Sequence, residues 1–276
     1  MRTSRTVVPA LLAAVLAATA LAACSGGGSP AAPAASSAAP AASSVAPVAS
    51  AAPAGEDAEA LAARVVAAMA AKKTAKVSMT ADSAAGQTTG SGAVRFGDTT
   101  HMAMRVVAGA TTMNLVLLDK VMYVKASGLP TEKWIKISAG ADDQLSKALA
   151  PTLESISSNA SVESMIAGYK GVPVTKGGTS TLDGVSVTQY DYALDAAALT
   201  AGIPAELRAQ AGAQFDGATG TTSMWVDDEG LVRKVVATVD LKSGKTTTTL
   251  RYTDWGAPVT IEAPPAGQTL DAASIK

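Results

Sequence analysis

An α+β domain of about ten antiparallel strands with a few separate helices is predicted for residues 56–276, and three observations predict it. From Thr74 onward apolar and polar residues alternate with period two in segments divided by short turns rich in Gly, Asp and Lys. Helix-period stretches lie at the start of this region and as inserts within it, rather than alternating regularly with strands. The region is also long enough for one single-core domain, with no internal stretch composed as a linker.

What precedes it is built differently. Arg2 and Arg5, with no acidic residue, lead into an apolar run from Val7 to Ala20, followed by small residues before Cys24. As a helix that run would reach about 21 Å, short of a hydrocarbon core of about 30 Å, so a cleaved export signal over residues 1–23 is expected rather than a membrane span. Leu21-Ala22-Ala23-Cys24 resembles a bacterial lipobox. The resemblance implies that Cys24 becomes the mature N-terminus and carries acyl chains, a diacylglyceryl thioether and an N-linked acyl group such as palmitate, on the outer face of the cell membrane. Two or three chains hold a protein stably where one does not. The alternative is an ordinary secretory signal beside a free cysteine. Cys24 is the sole cysteine, so no disulfide is available.

Residues 24–55 continue as Ala, Ser, Pro and Gly without charge, too poor in bulky side chains to offset the entropy of ordering. They form a tether of roughly 30 Å as a random coil and up to about 95 Å in polyproline II. Loss of the signal leaves 20 of the 22 basic residues against 23 acidic ones, a net charge of −3. That weakly acidic, unclustered balance predicts no nucleic-acid partner.

Leu61, Val65 and Met69, four apart and flanked by Ala62, Val66 and Ala68, predict an amphipathic helix from Gly55-Glu56 to Lys72-Lys73, with acids at its start and bases at its end. Strands are predicted at 74–82, 87–97, 99–108, 111–118 and 121–126, joined by Gly97-Asp98, Gly109-Ala110 and Asp119-Lys120. Met102, Met104 and Val106 share one strand face opposite His101, Ala103 and Arg105; Met113, Leu115 and Leu117 repeat the pattern, and Met122 begins it again. One face of this meander is therefore oily and rich in methionine, the other wet. Trp134–Ile137 predicts a short strand. Between Asp142 and Gly168 helical spacing returns, with Leu145 and Leu149 four apart, Pro151 suited to a first turn, and Val162, Met165 and Ile166 as an apolar stripe. Strands resume at 171–181 and 185–194 around Asp183-Gly184, then a small helical insert with Asp195 as cap and Pro204 opening a further turn. Strands at 219–227, 231–241 and 246–253 close the pattern, the last two joined by Lys242–Lys245.

This closing block carries a family resemblance. Met224-Trp225-Val226-Asp227, Gly230-Leu231-Val232-Arg233-Lys234, then Leu250 through Asp254-Trp255-Gly256-Ala257-Pro258-Val259 and Ala263-Pro264-Pro265, resembles the end of LppX/LprAFG-type envelope lipoproteins. Those belong with LolA- and LolB-like carriers. The resemblance implies a strongly curved antiparallel half-barrel wrapped around helices, enclosing an apolar cavity for the acyl chains of a lipid or glycolipid in a monomeric protein. Met102, Met104, Val106, Met113, Leu115, Leu117, Met122, Met165 and Ile166 are the candidate cavity lining. A methionine stripe on a strand equally suits plain core, and Trp134 stands in the same position. Trp225 and Trp255 read as structural, sealing a sheet edge or the closing turn.

Chemistry has few residues to work with. His101 is the only histidine, on the wet face of a strand where solvation is expected, and no serine lies in a Gly-x-Ser-x-Gly setting. One acylated cysteine and one histidine offer no metal set, and no calcium loop is present in the sequence. Asp142-Asp143 reads as a helix start and Asp227-Asp228-Glu229 as a hairpin turn; Gly26-Gly27-Gly28 lies in the tether and cradles no phosphate. The expectation is a non-catalytic protein without cofactor. It either binds or transfers a lipid, or serves as a surface interaction or sensor module for an envelope protein partner.

Overall fold

The computed structural model describes residues 58–97, 99–129, 131–138, 140–143, 146–147, 174–196 and 217–274. The export signal, Cys24, the tether, Leu145, Leu149, Met165, Ile166 and Pro204 lie outside the described residues.

Helix α1 (Ala58–Lys72) presents Leu61, Ala62, Val65, Val66 and Met69 as its buried stripe. It ends where Lys73 adopts φ 67° and donates its N–H to Met69 O at 2.9 Å, a left-handed C-terminal turn that releases the chain into the sheet. Twelve strands follow: β1 (Thr74–Ser83), β2 (Gly86–Arg95), β3 (His101–Ala108), β4 (Thr111–Leu118), β5 (Val121–Ala126), β6 (Trp134–Ser138), β7 (Val174–Leu182), β8 (Val185–Asp195), β9 (Thr219–Asp227), β10 (Val232–Leu241), β11 (Gly244–Thr253) and β12 (Thr269–Asp271).

All belong to one open sheet in the order β12-β6-β5-β4-β3-β2-β1-β11-β10-β9-β8-β7. Every neighbouring pair is antiparallel except β12 on β6. Local chemistry explains the hairpins. Asp119-Lys120 (φ 48° and 65°) and Asp183-Gly184 (φ 50° and 81°) have both central residues left-handed, the two-residue turn whose twist matches flanking strands.

The period-two segments were legible as strands, and eleven of the twelve coincide with predicted ones within a few residues. β12 is the addition: three residues, Thr269-Leu270-Asp271, are too short to show a period, and their pairing with Trp134, Ile135 and Lys136 depends on the parallel approach of a distant segment. The last hairpin is tighter than expected, with Lys242-Ser243 alone between β10 and β11. Asp195 closes β8 and Ala196 after it is helical, so Asp195 stands where a helix cap is expected. Asp143 does start a helical segment, since its Oδ1 accepts the Ser146 N–H at 2.8 Å and its carbonyl accepts that of Lys147. Among the described residues α1 is the only long helix, accompanied by 3-10 turns at Ala266–Gln268 and Ala272–Ser274.

Alternation puts the apolar side chains on one face, where they form two clusters. Leu61, Val65 and Met69 of α1 pack with Tyr190, Tyr192, Met224, Val226 and Val232 of β8–β10. On the other wing Met113, Leu115, Leu117, Met122, Val124, Ile135 and Ile137 pack together with Ala272.

Candidate functional site

The cross-strand register builds the candidate surface row by row. Met102 stands opposite Leu117, Met104 opposite Leu115 and Val106 opposite Met113 between β3 and β4; Leu117 then faces Met122 and Leu115 faces Val124 on β5. Met122 meets Ile137 and Val124 meets Ile135 on β6. Towards the centre of the sheet the same rows reach Gly92 and Gly90 on β2, then Val77 and Met79 on β1. Met102, Met104, Val106, Met113, Leu115, Leu117 and Met122 therefore lie on one continuous apolar face, as the alternation predicts.

Burial divides them. Leu115, Leu117 and Met122 are 4%, 3% and 1% exposed and Val106 and Met113 are as deeply covered, whereas Met102 and Met104 are half-buried. Met102 faces Val94, whereas Met104 faces Gly92 and Val106 faces Gly90, so β2 contributes no side chain to two successive rows. A Cβ on Gly90 would lie 3.3 Å from the Cε atoms of both Met79 and Met104, so these methyl groups close over the glycine. A Cβ on Gly92 would collide with the Ala103 carbonyl oxygen, an approach that only glycine permits. Gly90, Gly92 and Met79 are missing from the sequence-based candidates, although the spacing Gly90-x-Gly92 inside a strand pattern is itself a signal of close approach.

The tryptophans sort by face. Trp134 lies on the side of β6 opposite Ile135 and Ile137, so it belongs to neither the core nor a lining of the apolar face. Trp225 seals no edge: β9 has β10 and β8 on its two sides, and the Trp225 ring lies 4.5 Å beneath the Lys234 ammonium. Trp255 does fix the closing turn. It stacks on Phe96 and on Tyr252, each at a centroid distance of 5.7 Å, and donates Nε1–H to the Val232 carbonyl at 3.1 Å.

Polar clusters on the described residues are structural in geometry. Asp227 is a buried turn carboxylate whose Oδ1 accepts the N–H groups of Glu229 and Leu231 while Oδ2 accepts Arg233 Nε at 2.6 Å. His101 departs from its expected solvated position: its side chain is 18% exposed, with Nε2 2.9 Å from Asp119 Oδ1 and 3.2 Å from Thr99 Oγ1. The outward strand face is wet as expected, but the β4–β5 turn folds Asp119 against the ring. Among the described residues no group of three or more His, Cys, Asp or Glu side chains is placed to hold a metal ion.

No family model matches the chain. An uncharacterized 31.2 kDa protein of Streptomyces griseus is 35% identical over 104 residues, 36% of this chain and 34% of that protein; the chain thus spans about a third of that relative's length. Among solved structures, the Mycobacterium tuberculosis lipoprotein LppX superposes with a TM-score of 0.48 at 16% identity, over 74% of this chain and 98% of LppX. LprF from Mycobacterium bovis superposes with a TM-score of 0.47 at 14% identity, over 75% of this chain and 96% of LprF.

Proposed function

We propose that this chain is a non-catalytic envelope lipoprotein, anchored through acylated Cys24 to the outer face of the cell membrane, whose sheet takes up the acyl chains of a lipid or glycolipid in a cavity. One observation carries the reading. The apolar rows run from β1 to β6 with a gap at Gly90 and Gly92 of β2, and there the flexible thioethers of Met79 and Met104 meet over the bare backbone of Gly90. Methionine adapts its shape to a variable apolar guest, and these two glycines of β2 leave room that rotation of those methionines can open. Covering a few hundred Å² of acyl chain at about 25 cal/mol per Å² supplies several kcal/mol without polar contacts. The half-barrel of LolA-like carriers is the form that such a sheet takes in this reading, and the tether lets the domain move between the bilayer and whatever accepts the lipid.

A second reading has its own support. Met113, Leu115, Leu117 and Met122 are buried like ordinary core, which favours a cavity-free interaction module working through an envelope protein partner. Native mass spectrometry separates the two. The chain from residue 24 onward, carrying Cys24→Ser to remove its own acyl groups and purified from its own host, is expected to retain a non-covalent lipid. Consistently empty protein overturns the carrier reading and leaves the interaction module.

A further inference from the structure

The sequence scatters its basic residues, but the sheet register gathers four of them. Lys125 stands opposite Asn114, Asn114 opposite Arg105, and Arg105 opposite Ser91 across β5, β4, β3 and β2. The same row continues through Ser78 to Arg251, Lys234 and Trp225 on β1, β11, β10 and β9. All point away from the apolar face, and no acidic residue interrupts the row. From Lys125 to Lys234 it crosses six inter-strand steps, about 29 Å at about 4.8 Å each.

The cations are available. Arg105 and Arg251 are exposed, while Lys125 and Lys234 are half-buried. Arg105 and Lys125 have no acidic partner among the described residues. Arg251 meets Asp183 at 3.2 Å in a pair exposed by 43% and 73%, a geometry that exchanges readily with another anion. Lys234 rests on the Trp225 ring, which leaves its ammonium donors free to turn outward.

The neighbouring rows show that this is a line rather than a patch. On one side Thr112, Val107, Thr89, Thr80 and Thr249 carry no charge. On the other, Lys136 and Lys76 stand at the two ends of a row whose intervening residues, Tyr123, Val116, Ala103 and Ala93, carry no charge, and each has an acidic partner, Asp271 at 3.5 Å and Asp254 at 2.9 Å. We propose that this single file of Lys125, Arg105, Arg251 and Lys234 on the polar sheet face is a docking track for a linear, flexible, phosphate-bearing polymer. A flat anionic bilayer would reward a broad basic field, whereas a polymer strand rewards donors in line, with Asn and Ser hydroxyl and amide groups between them. From residue 24 onward the formal net charge is −3, so general attraction between protein and polyanion is absent and the local line must supply the binding.

Long-chain inorganic polyphosphate is the probe. The chain from residue 24 onward with Cys24→Ser is expected to bind it saturably at low salt, with affinity falling steeply as salt rises. Arg105→Glu combined with Lys125→Glu is expected to weaken binding by about tenfold or more while circular dichroism stays unchanged, and Arg105→Gln with Lys125→Gln to give a smaller loss. Lys147→Glu, off the sheet, is expected to leave binding as it was. Absence of polyphosphate binding, an equal loss from Lys147→Glu, or binding to phosphatidylglycerol vesicles without binding to polyphosphate each overturns the proposal. These outcomes are independent of whether a lipid co-purifies with the protein.

Discussion

On strands β8–β11 the apolar face of the sheet meets the long helix α1, whereas on β3–β6 the helical element that packs on it among the described residues is the short 3-10 turn carrying Ala272. The helix-backed wing is specified by shape. Leu61 is fully buried under Tyr190 and Tyr192, Gly230 (φ 85°) lets the β9–β10 turn approach Ala68 and Arg64 of α1, and Trp255 locks β10 to the stack on Phe96. The methionine wing is specified by pattern, an alternation that delivers Met, Leu, Val and Ile to one face with no aromatic ring in its cluster among the described residues. Aromatic and helix-backed packing fixes one arrangement, while a surface of unbranched and aliphatic side chains tolerates several. A guest that varies in shape would use the second wing, and the first would hold the domain together.

The largest effect that could break this division comes from an arginine placed within the methionine wing. Leu115→Arg puts a charge where the native side chain is 4% exposed, and more than about 4 kcal/mol of stability should be lost, enough to unfold the domain. Met104→Arg, at the half-buried neighbour directly opposite, should remain folded because the long side chain can carry its charge out to water. Thermal melts by circular dichroism, paired with lipid retention in native mass spectra, read both. A folded Leu115→Arg protein would mean that the wing is a cavity wall throughout, and an unfolded Met104→Arg protein that it is core throughout.

A smaller, matched pair sharpens the contrast between wings. Leu61→Ala removes a fully buried side chain from the helix-backed cluster and is expected to cost about 2–5 kcal/mol in urea denaturation. Met104→Ala removes a half-buried one and should cost about 1 kcal/mol, since its site is partly solvated and the flexible side chain of Met79 can swing into the space. Equal losses would erase the distinction between a shape-specified and a pattern-specified wing.

How much of this the sequence reveals follows from the range of each interaction. Strand faces are local, so the rows Met102-Met104-Val106 and Met113-Leu115-Leu117 are readable from period two alone. Turn conformations are local as well, and Asp119-Lys120 and Asp183-Gly184 declare themselves. Strand order is not local. That β1 pairs with β11, and that Arg105 and Arg251 therefore lie in one row, requires residues 165 to 177 positions apart to meet, and no composition or periodicity encodes it. Side-chain partners across turns are equally hidden, which is why His101 reads as solvated until Asp119 is seen against it. The bareness of β2 lies between these cases: the glycines are visible, but their consequence depends on where Met79 and Met104 point.

The smallest expected effect concerns what pins the methionine wing at its margin. At the start of β3, the His101 ring, Thr99 hydroxyl and Asp119 carboxylate tie the strand to the β4–β5 turn. Asp119 sits at φ 48°, so alanine there would add backbone strain and confuse the result, whereas Asp119→Asn tolerates that conformation and removes only the charge. With Asp119 76% exposed, the loss should be at most about 1 kcal/mol and should shrink as salt is raised, measured as the shift in urea midpoint. A salt-independent loss well above that value would mean that the polar face, not apolar packing, holds the wing's strands in register. In that case the freedom inferred for Met102 and Met104 would be limited from behind, because His101 and Met102 are consecutive residues of one strand, and a side chain cannot swing into a guest's space if its backbone is anchored by the neighbour facing the other way.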